Sequence, residues 1–303
     1  MASATRETVE IDHHELSISN LDKVLYPESG FTKGQVLDYY VRVAPVILPH
    51  LKGRPLTLKR YPNGVDSMFF YEKRCPTHKP DWIKTVRVHS TKSGDIFFCT
   101  IDGPAALAWV ANLASIELHV LLSRDPNVDR PTAVAFDFDP GPPAGILEAC
   151  RALLMVKKVL DHLGLESFPK TSGGKGIHLY VPLNTPGMTF DHTKEFAHNL
   201  AMLLEREHPE QITSNPLKVK RTGKVFMDWS QNDFHKTTVC AYSLRARSQP
   251  TVSTPVTWAE IDKAVKKKKP EVLHFESEDV MKRIDAHGDL FAPVLKLKQK
   301  LKG

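Results

Sequence analysis

Helical segments and strands alternate along this chain, and several strands end in charged residues, a pattern that predicts α/β layers built on a mixed sheet. Two kinds of punctuation support it. Capping residues stand ahead of apolar stripes of helical period, and Pro-Gly or Asn-Gly pairs close short apolar runs. No internal repeat, low-complexity block or Gly/Ser linker divides the sequence, so one compact domain over residues 1–303 is expected.

Thr32 is placed as the N-cap of a helix running to about residue 48. Val36, Leu37, Tyr40, Val43, Ala44 and Ile47 form its apolar stripe, and Pro45 is expected to kink its last turns. Leu56-Thr-Leu-Lys-Arg-Tyr61 reads as a strand stopped by Pro62-Asn63-Gly64, and Pro104 opens a helix to about residue 116. Residues 132–139 form the next strand, followed by a helix over about 145–163 that Gly164 ends. Ile177-His-Leu-Tyr-Val181 is a strand, about 192–206 a helix, Lys224-Val-Phe-Met-Asp228 a strand, and about 239–244 another strand. Thr257-Trp-Ala-Glu260 has the spacing of a capping box. The basic run Lys266 to Lys269 reads as a solvated helix end, and Leu295 to Lys302 as a domain end or linker stub.

With 303 residues the chain can bury a substantial core, and 41% hydrophobic with 25% charged residues is ordinary for a soluble globular protein. A formal net charge of +6 and a pI near 9.0 favour a polyanionic partner such as nucleic acid. The first residues lack the apolar core of a signal peptide. The longest apolar stretch, Ala105 to Leu122, is broken by Asn112, Glu117 and His119, so no membrane span is expected. Cys75, Cys99, Cys150 and Cys240 are scattered without paired spacing, which predicts reduced thiols in a cytoplasmic setting. Cys75-Pro-Thr-His78 has the form of half a zinc site, but no second pair stands nearby and a loop is the preferred reading.

Candidate chemistry centres on Asp137-Phe138-Asp139. Alternation puts Val134, Phe136 and Phe138 on one face of the strand and Ala133, Ala135, Asp137 and Asp139 on the other, ahead of a Pro140-Gly141 turn expected to open to solvent. Two solvated acids at a strand end would satisfy the same pattern. Asp228, near the end of a second short strand, adds a third acid in a similar setting. Neighbouring carboxylates repel unless a cation lies between them, and oxygen-only ligand sets suit Mg²⁺ or Mn²⁺. A pair of such ions about 4 Å apart serves phosphoryl transfer.

Thr171-Ser-Gly-Gly-Lys-Gly176 precedes the strand of His178. Consecutive glycines let backbone N–H groups converge on an anion, with Ser172 and Lys175 adding a donor and a charge. The spacing is not that of a Walker A loop, so its weight comes from lying between the acidic strands. His178 shares a strand face with Tyr180 and projects either toward that site or into the core. Arg221 and Lys224 precede the third acid. Arg245 and Arg247, two apart on the expected strand, form either a phosphate clamp or a charged sheet face. Gln231 and Asn232 are candidates to hydrogen-bond a sugar or base. Lys23, Lys33, Lys59 and Arg60 accompany Phe69-Phe70-Tyr71, a basic and aromatic mixture suited to a nucleic-acid strand, with Phe69 read as a core residue.

Several segments together resemble the polymerase domain of the bacterial and archaeal ATP-dependent ligase D, a branch of the archaeo-eukaryotic primase superfamily. They are Asn20-Leu-Asp-Lys-Val-Leu-Tyr-Pro27, Gly53-Arg-Pro, Lys59-Arg-Tyr-Pro-Asn-Gly64, Glu117-Leu-His119, Phe136-Asp-Phe-Asp-Pro140, Thr171-Ser-Gly-Gly-Lys-Gly-Ile-His-Leu-Tyr180, Lys224-Val-Phe-Met-Asp-Trp-Ser-Gln-Asn232 and Tyr242-Ser-Leu-Arg-Ala-Arg247. They span nearly the whole chain in family order. The resemblance implies a primase-type core of mixed β-sheets flanked by helices. Its parts would be a DNA-contacting segment over about 1–125, a catalytic core over about 130–250 and a helical segment over about 255–303.

It further implies that Asp137, Asp139 and Asp228 hold two divalent cations, manganese preferred over magnesium. His119, Ser172, Gly173, Lys175, His178, Gln231 and Arg245 would take a nucleoside triphosphate, and Asn20, Lys23 and Lys33 the 5′-phosphate of a gap or broken end. Lys59, Arg60, Phe70, Tyr71 and Arg221 would meet the template, with Tyr71 standing where the family has phenylalanine. The implied activity is gap filling and 3′-end extension in non-homologous end joining, with ribonucleotides preferred. Ku and an ATP-dependent DNA ligase are the implied partners, and the setting is cytoplasmic and nucleoid-associated. The alternatives are a non-catalytic module that bridges DNA ends and a primase that starts chains de novo. The chain shows no ligase motif or nuclease module and is read as either a free-standing polymerase or an excised domain.

Overall fold

The structure, a computed structural model, describes residues 6–90 and 94–301. The chain folds as two units. The first holds residues up to Leu121 with Val239–Val252 and Glu276–Gly288, and the second holds Leu122–Thr238, Ser253–Phe275 and the chain from Asp289.

In the first unit, β1 (Arg6–Ile11) and β2 (His14–Ser19) form a hairpin whose turn residues, Asp12 and His13, both have positive φ. Short strands β3 (Val24–Tyr26) and β4 (Phe31–Thr32) lead into α1 (Lys33–Leu51). Thr32 caps α1 as expected, with Gln35 completing a capping box, and every residue of the expected apolar stripe is buried. The helix continues through Pro45 and Pro49, three residues past the expected end. Then come β5 (Leu56–Arg60), β6 (Phe70–Glu72), β7 (Thr85–Ser90), β8 (Gly94–Cys99), α2 (Pro104–Asn112) and β9 (Ser115–Leu121).

The helix expected to reach residue 116 stops at Asn112, because Ala114 adopts positive φ and Ser115-Ile-Glu-Leu-His-Val-Leu121 alternates with period two. All seven residues of β9 are buried, and β9 pairs with β5 in the middle of the sheet.

The expectation of four unpaired thiols is overturned by a Cys75–Cys99 disulfide. A hydrogen bond from Cys75 N to Phe97 O lays the loop after β6 against β8, a contact that spacing of 24 residues does not announce. Cys75 is thereby removed from any zinc set, while Cys150 and Cys240 are buried and not disulfide-bonded.

The second unit opens with β10 (Ser123–Arg124) and β11 (Asn127–Pro131), followed by β12 (Ala133–Pro140), α3 (Ile146–His162), β13 (Phe168–Thr171), β14 (Ile177–Pro182) and α4 (Phe190–Glu207). β15 (Ile212–Thr213), β16 (Val225–Asp228) and α5 (Trp258–Lys267) come next, whereas β17 (Thr237–Val239) is a strand of the sheet that holds β9 and β5. The sheet order is β13-β14-β12-β16-β15, antiparallel except for the last pair, and α3 and α4 pack against β12. Thr257 and Glu260 form the expected capping box. α6 (Ser277–His287) belongs to the first unit, and α7 (Pro293–Lys296) to the second.

Beyond α7, the expected linker stub is docked within its unit: Asn184 Nδ2 donates to Leu297 O, and Gln299 N to Leu183 O. The strand expected near 239–244 ends at Val239. Tyr242 has positive φ, and the Leu244–Val252 pairing is an isolated bridge. Arg245 and Arg247 therefore lie in an irregular segment after the turn, and the alternation that would have faced them the same way does not apply. No helix among the described residues is long and apolar enough to cross a membrane.

Candidate active site

The register of the second unit's sheet places four polar residues in one row across four strands. Lys170 on β13 stands opposite His178 on β14, His178 opposite Asp137 on β12, and Asp137 opposite Asp228 on β16. Directly opposed residues share a sheet face, with neighbouring strands about 4.8 Å apart, so strand pairing brings the first and third acids side by side. Asp139, two residues beyond Asp137, lies on the same face.

Each carboxylate has its own partners. Asp137 Oδ1 is 3.4 Å from His178 Nε2. Asp139 lies 3.3 Å from Lys175 Nζ and 3.1 Å from Arg221 Nη1. Asp228 accepts from Ser230 N and Oγ and from Gln231 Nε2. Opposed like charges are destabilising, and these donors and cations offset the repulsion. The three carboxylates thus engage separate partners, and among the described residues no three His, Cys, Asp or Glu side chains converge as ligands of one ion. The donor set still fits a hard divalent cation: three half-exposed carboxylates on one face, flanked by donors that suit phosphate oxygens.

Backbone packing holds this edge in place. Pro140-Gly141 does not open to solvent; Gly141 lies against Arg221, where a methyl group would overlap Arg221 O, and Gly141 N donates to Lys224 O. That packing holds the Arg221 segment beside Asp139, and the guanidinium stacks on the Phe226 ring at 3.8 Å. Asn232, read as a candidate sugar or base contact, is fully buried, with its side-chain amide accepting from Ala135 N and donating to Ala135 O. It acts as a strand partner where β16 has ended.

The loop between β13 and β14 closes on Ser172, whose Oγ accepts from Gly174 N and Gly176 N while Ser172 N donates to Gly176 O. Lys175 Nζ donates to Pro140 O, so the loop's charge stands next to Asp139. Gly176 packs so tightly that a methyl group would lie 2.6 Å from Phe138 O. His178 is buried, with its Nδ1 3.1 Å from Lys170 Nζ. Sequence reading missed Lys170; its only signal was a lysine immediately ahead of Thr171-Ser-Gly-Gly-Lys-Gly176.

The first unit carries a separate charged centre. Buried Glu117 is 2.8 Å from His119 Nε2, 3.4 Å from Arg245 Nε and 3.5 Å from Lys59 Nζ, and accepts from Ala246 N. Burial pushes Glu117 up, but the His119 hydrogen bond and the neighbouring cations outweigh it and hold the carboxyl well below the usual range. His119 is lowered by its own burial, partly opposed by Glu117. The Lys59 ammonium lies 4.5 Å from the Phe69 ring centroid and 5.8 Å from that of Tyr71. Phe69, expected in the core, is 47% exposed, beside Phe70 at 52% and Tyr71 at 53%. A short strand pairing only with β5 gives these rings no second layer to enter. Arg60 is tied to Glu72 and Leu113 O.

In the same unit a hydrogen bond from Lys33 N to Lys23 O brings those two lysines together beside Asn20, which has positive φ. Lys33 Nζ donates to Ser19 O and Asn112 Oδ1, and Lys23 Nζ to Asn63 Oδ1. Burial, reinforced by the Lys23 charge, lowers Lys33 to about 8.

Residues 32–291 match the family described as "LigD, primase-polymerase domain". The chain belongs to the LigD primase-polymerase family. It is therefore a nucleotidyltransferase of mixed α/β fold. It is 41% identical over 284 residues to the multifunctional non-homologous end joining protein LigD of Mycolicibacterium smegmatis, covering 93% of this chain and 36% of that protein. It is 32% identical to the bifunctional LigD of Bacillus subtilis, covering 84% of this chain and 40% of that protein. The chain thus spans little more than a third of these curated relatives. Among solved structures, the polymerase domain from Mycobacterium tuberculosis ligase D in complex with DNA matches with a TM-score of 0.86 at 39% identity, covering 94% of this chain and 99% of that one.

Proposed function

We propose that this chain is a DNA-directed polymerase that adds nucleotides to a 3′-hydroxyl across short gaps or at paired broken ends in non-homologous end joining, with ribonucleotides preferred. The observation that carries the reading is the opposition of Asp137 and Asp228 on adjacent strands, with Asp139 on the same face and the Ser172–Lys175 loop beside it. Asp137, Asp139 and Asp228 would hold two divalent cations, Mn²⁺ in preference to Mg²⁺. When bound, such ions supply Lewis acidity to a hydroxyl and to phosphate oxygens.

The chain's own groups divide the rest of the work. Lys175 and Arg221 supply positive charge beside Asp139, and Ser172, Gly173, His178 and Gln231 supply donors suited to a triphosphate. The assignment of His119 and Arg245 to the nucleotide rests on the sequence match. Asn20, Lys23 and Lys33 receive a downstream 5′-phosphate, a role suited by two lysines joined through their backbones whose charges feel one another. Phe70 and Tyr71 stack on template bases from their exposed strand. The assignment of Lys59, Arg60 and Arg221 to the template rests on the sequence match. Ku and an ATP-dependent ligase are the partners this role calls for, in a cytoplasmic, nucleoid-associated setting.

Primer extension on a gapped duplex bearing a 5′-phosphate, with ribo- and deoxynucleotides compared in Mn²⁺ and Mg²⁺, tests the proposal. Template-directed addition with ribonucleotides favoured is expected. Binding of the gapped duplex with no incorporation in either metal would instead identify an end-bridging module.

A further inference from the structure

Lys170 is 1% exposed, a rare place for an ammonium group, and the proposed polymerase role makes no use of it. Its surroundings are specific. Ser253 Oγ accepts from Lys170 Nζ at 2.7 Å while donating to Thr171 O at 2.9 Å, so the hydroxyl's lone pairs face the lysine. The Tyr180 ring lies under the ammonium at 5.6 Å. On another side, 3.1 Å away, stands Nδ1 of His178.

With Lys170 as an ammonium, which has three donors and no acceptor, the imidazole nitrogen facing it is the one without a proton. In a neutral imidazole the proton then sits on Nε2, the nitrogen 3.4 Å from Asp137 Oδ1. A protonated Nδ1 would set donor against donor in a buried place. We infer that Lys170 is a positioning residue: it fixes His178 as the Nε2–H tautomer, so that His178 offers a hydrogen-bond donor, never an acceptor, on the carboxylate face. A donor there suits an anionic oxygen of a bound triphosphate and does not suit a group meant to accept a proton at Nε2. The inference rests on the proposed nucleotide role of His178 for its consequence, but not for its geometry.

Histidine-ring ¹⁵N NMR on the full chain tests it, with His178 identified by the signal that disappears in His178→Gln. Wild type is expected to show Nε2 protonated and Nδ1 bare. Lys170→Met should release the constraint and give mixed tautomers, while raising the KM for nucleotide about tenfold and changing kcat by less than about threefold. An Nδ1–H signal in wild type overturns the inference, and this reading stands even if Lys170→Met does not fold. So does an unchanged Nε2–H tautomer in folded Lys170→Met. The nucleotide role is judged separately: His178→Ala with an unchanged nucleotide KM removes that role and leaves the tautomer result to decide the Lys170–His178 pairing.

Discussion

Lys33 and Gly176 show how single residues set measurable limits. Lys33 is lowered to about 8 by burial and by Lys23, so near pH 7 it is mostly charged and near pH 9 mostly neutral. Pairing with a phosphate needs the charged form. Preference for a 5′-phosphorylated gap over an unphosphorylated one is therefore expected to fall as pH rises through 8, by up to about tenfold between pH 7 and 9. Dissociation constants for the two duplexes at both pH values provide the check, and a flat ratio would count against Lys33 as the phosphate ligand. For folding the sign is reversed: a lysine depressed below its unfolded value adds stability only above that value and loses it as pH falls through 8. At Gly176 the argument is steric. A methyl group 2.6 Å from Phe138 O meets backbone of the strand that bears Asp137 and Asp139. Gly176→Ala is expected to lower stability by about 2–3 kcal/mol, read as a lower urea midpoint at unchanged m.

At the scale of elements, β16 is too short for its task and Asn232 completes it. The chain leaves the sheet after Asp228, and the Asn232 amide takes over both backbone groups of Ala135. Asn232→Ala leaves a buried N–H and C=O without that partner, at an expected cost of about 2–3 kcal/mol, with faster hydrogen exchange at the Ala135 amide as the local signature.

The same elements show what was legible in the sequence. α1, α3, α5, β12, β14 and β16 carry clear periodicity and punctuation, and their placements hold within a few residues. β9 was missed because the apolar run of α2 passes into it without glycine or proline; the break is a positive φ at Ala114, which no composition rule marks. The turn at Tyr242 hid in the same way, and moved Arg245 and Arg247 off the strand assigned to them. Alternation put Asp137 and Asp139 on one face, but only strand pairing, a long-range property, could bring Asp228 opposite Asp137 and Lys170 opposite His178. The Cys75–Cys99 bond was invisible for the same reason.

Over the whole molecule, catalysis and recognition of the broken end are assigned to different groups of residues, so they should fail separately. Asp137 faces Asp228, and removing one of two opposed carboxylates relieves repulsion instead of leaving a hole in the core. Asp137→Ala is therefore expected to fold with an undiminished Tm and to bind gapped DNA within about twofold of wild type, while losing about 10³-fold or more in nucleotide addition. The double variant Lys23→Ala/Lys33→Ala should behave in the opposite way, keeping addition on a primer–template without a downstream strand and losing its preference for the phosphorylated gap. Its binding should also depend less steeply on salt, since each phosphate left without its lysine takes about 0.9 from the slope of log K against log salt. Anisotropy titrations at several salt concentrations, run beside labelled primer extension, separate the two phenotypes. Extension retained by a pure sample of Asp137→Ala would remove the acidic row from catalysis, whatever the lysine variant does. Equal binding of both gap forms by wild type would do the same for the paired lysines.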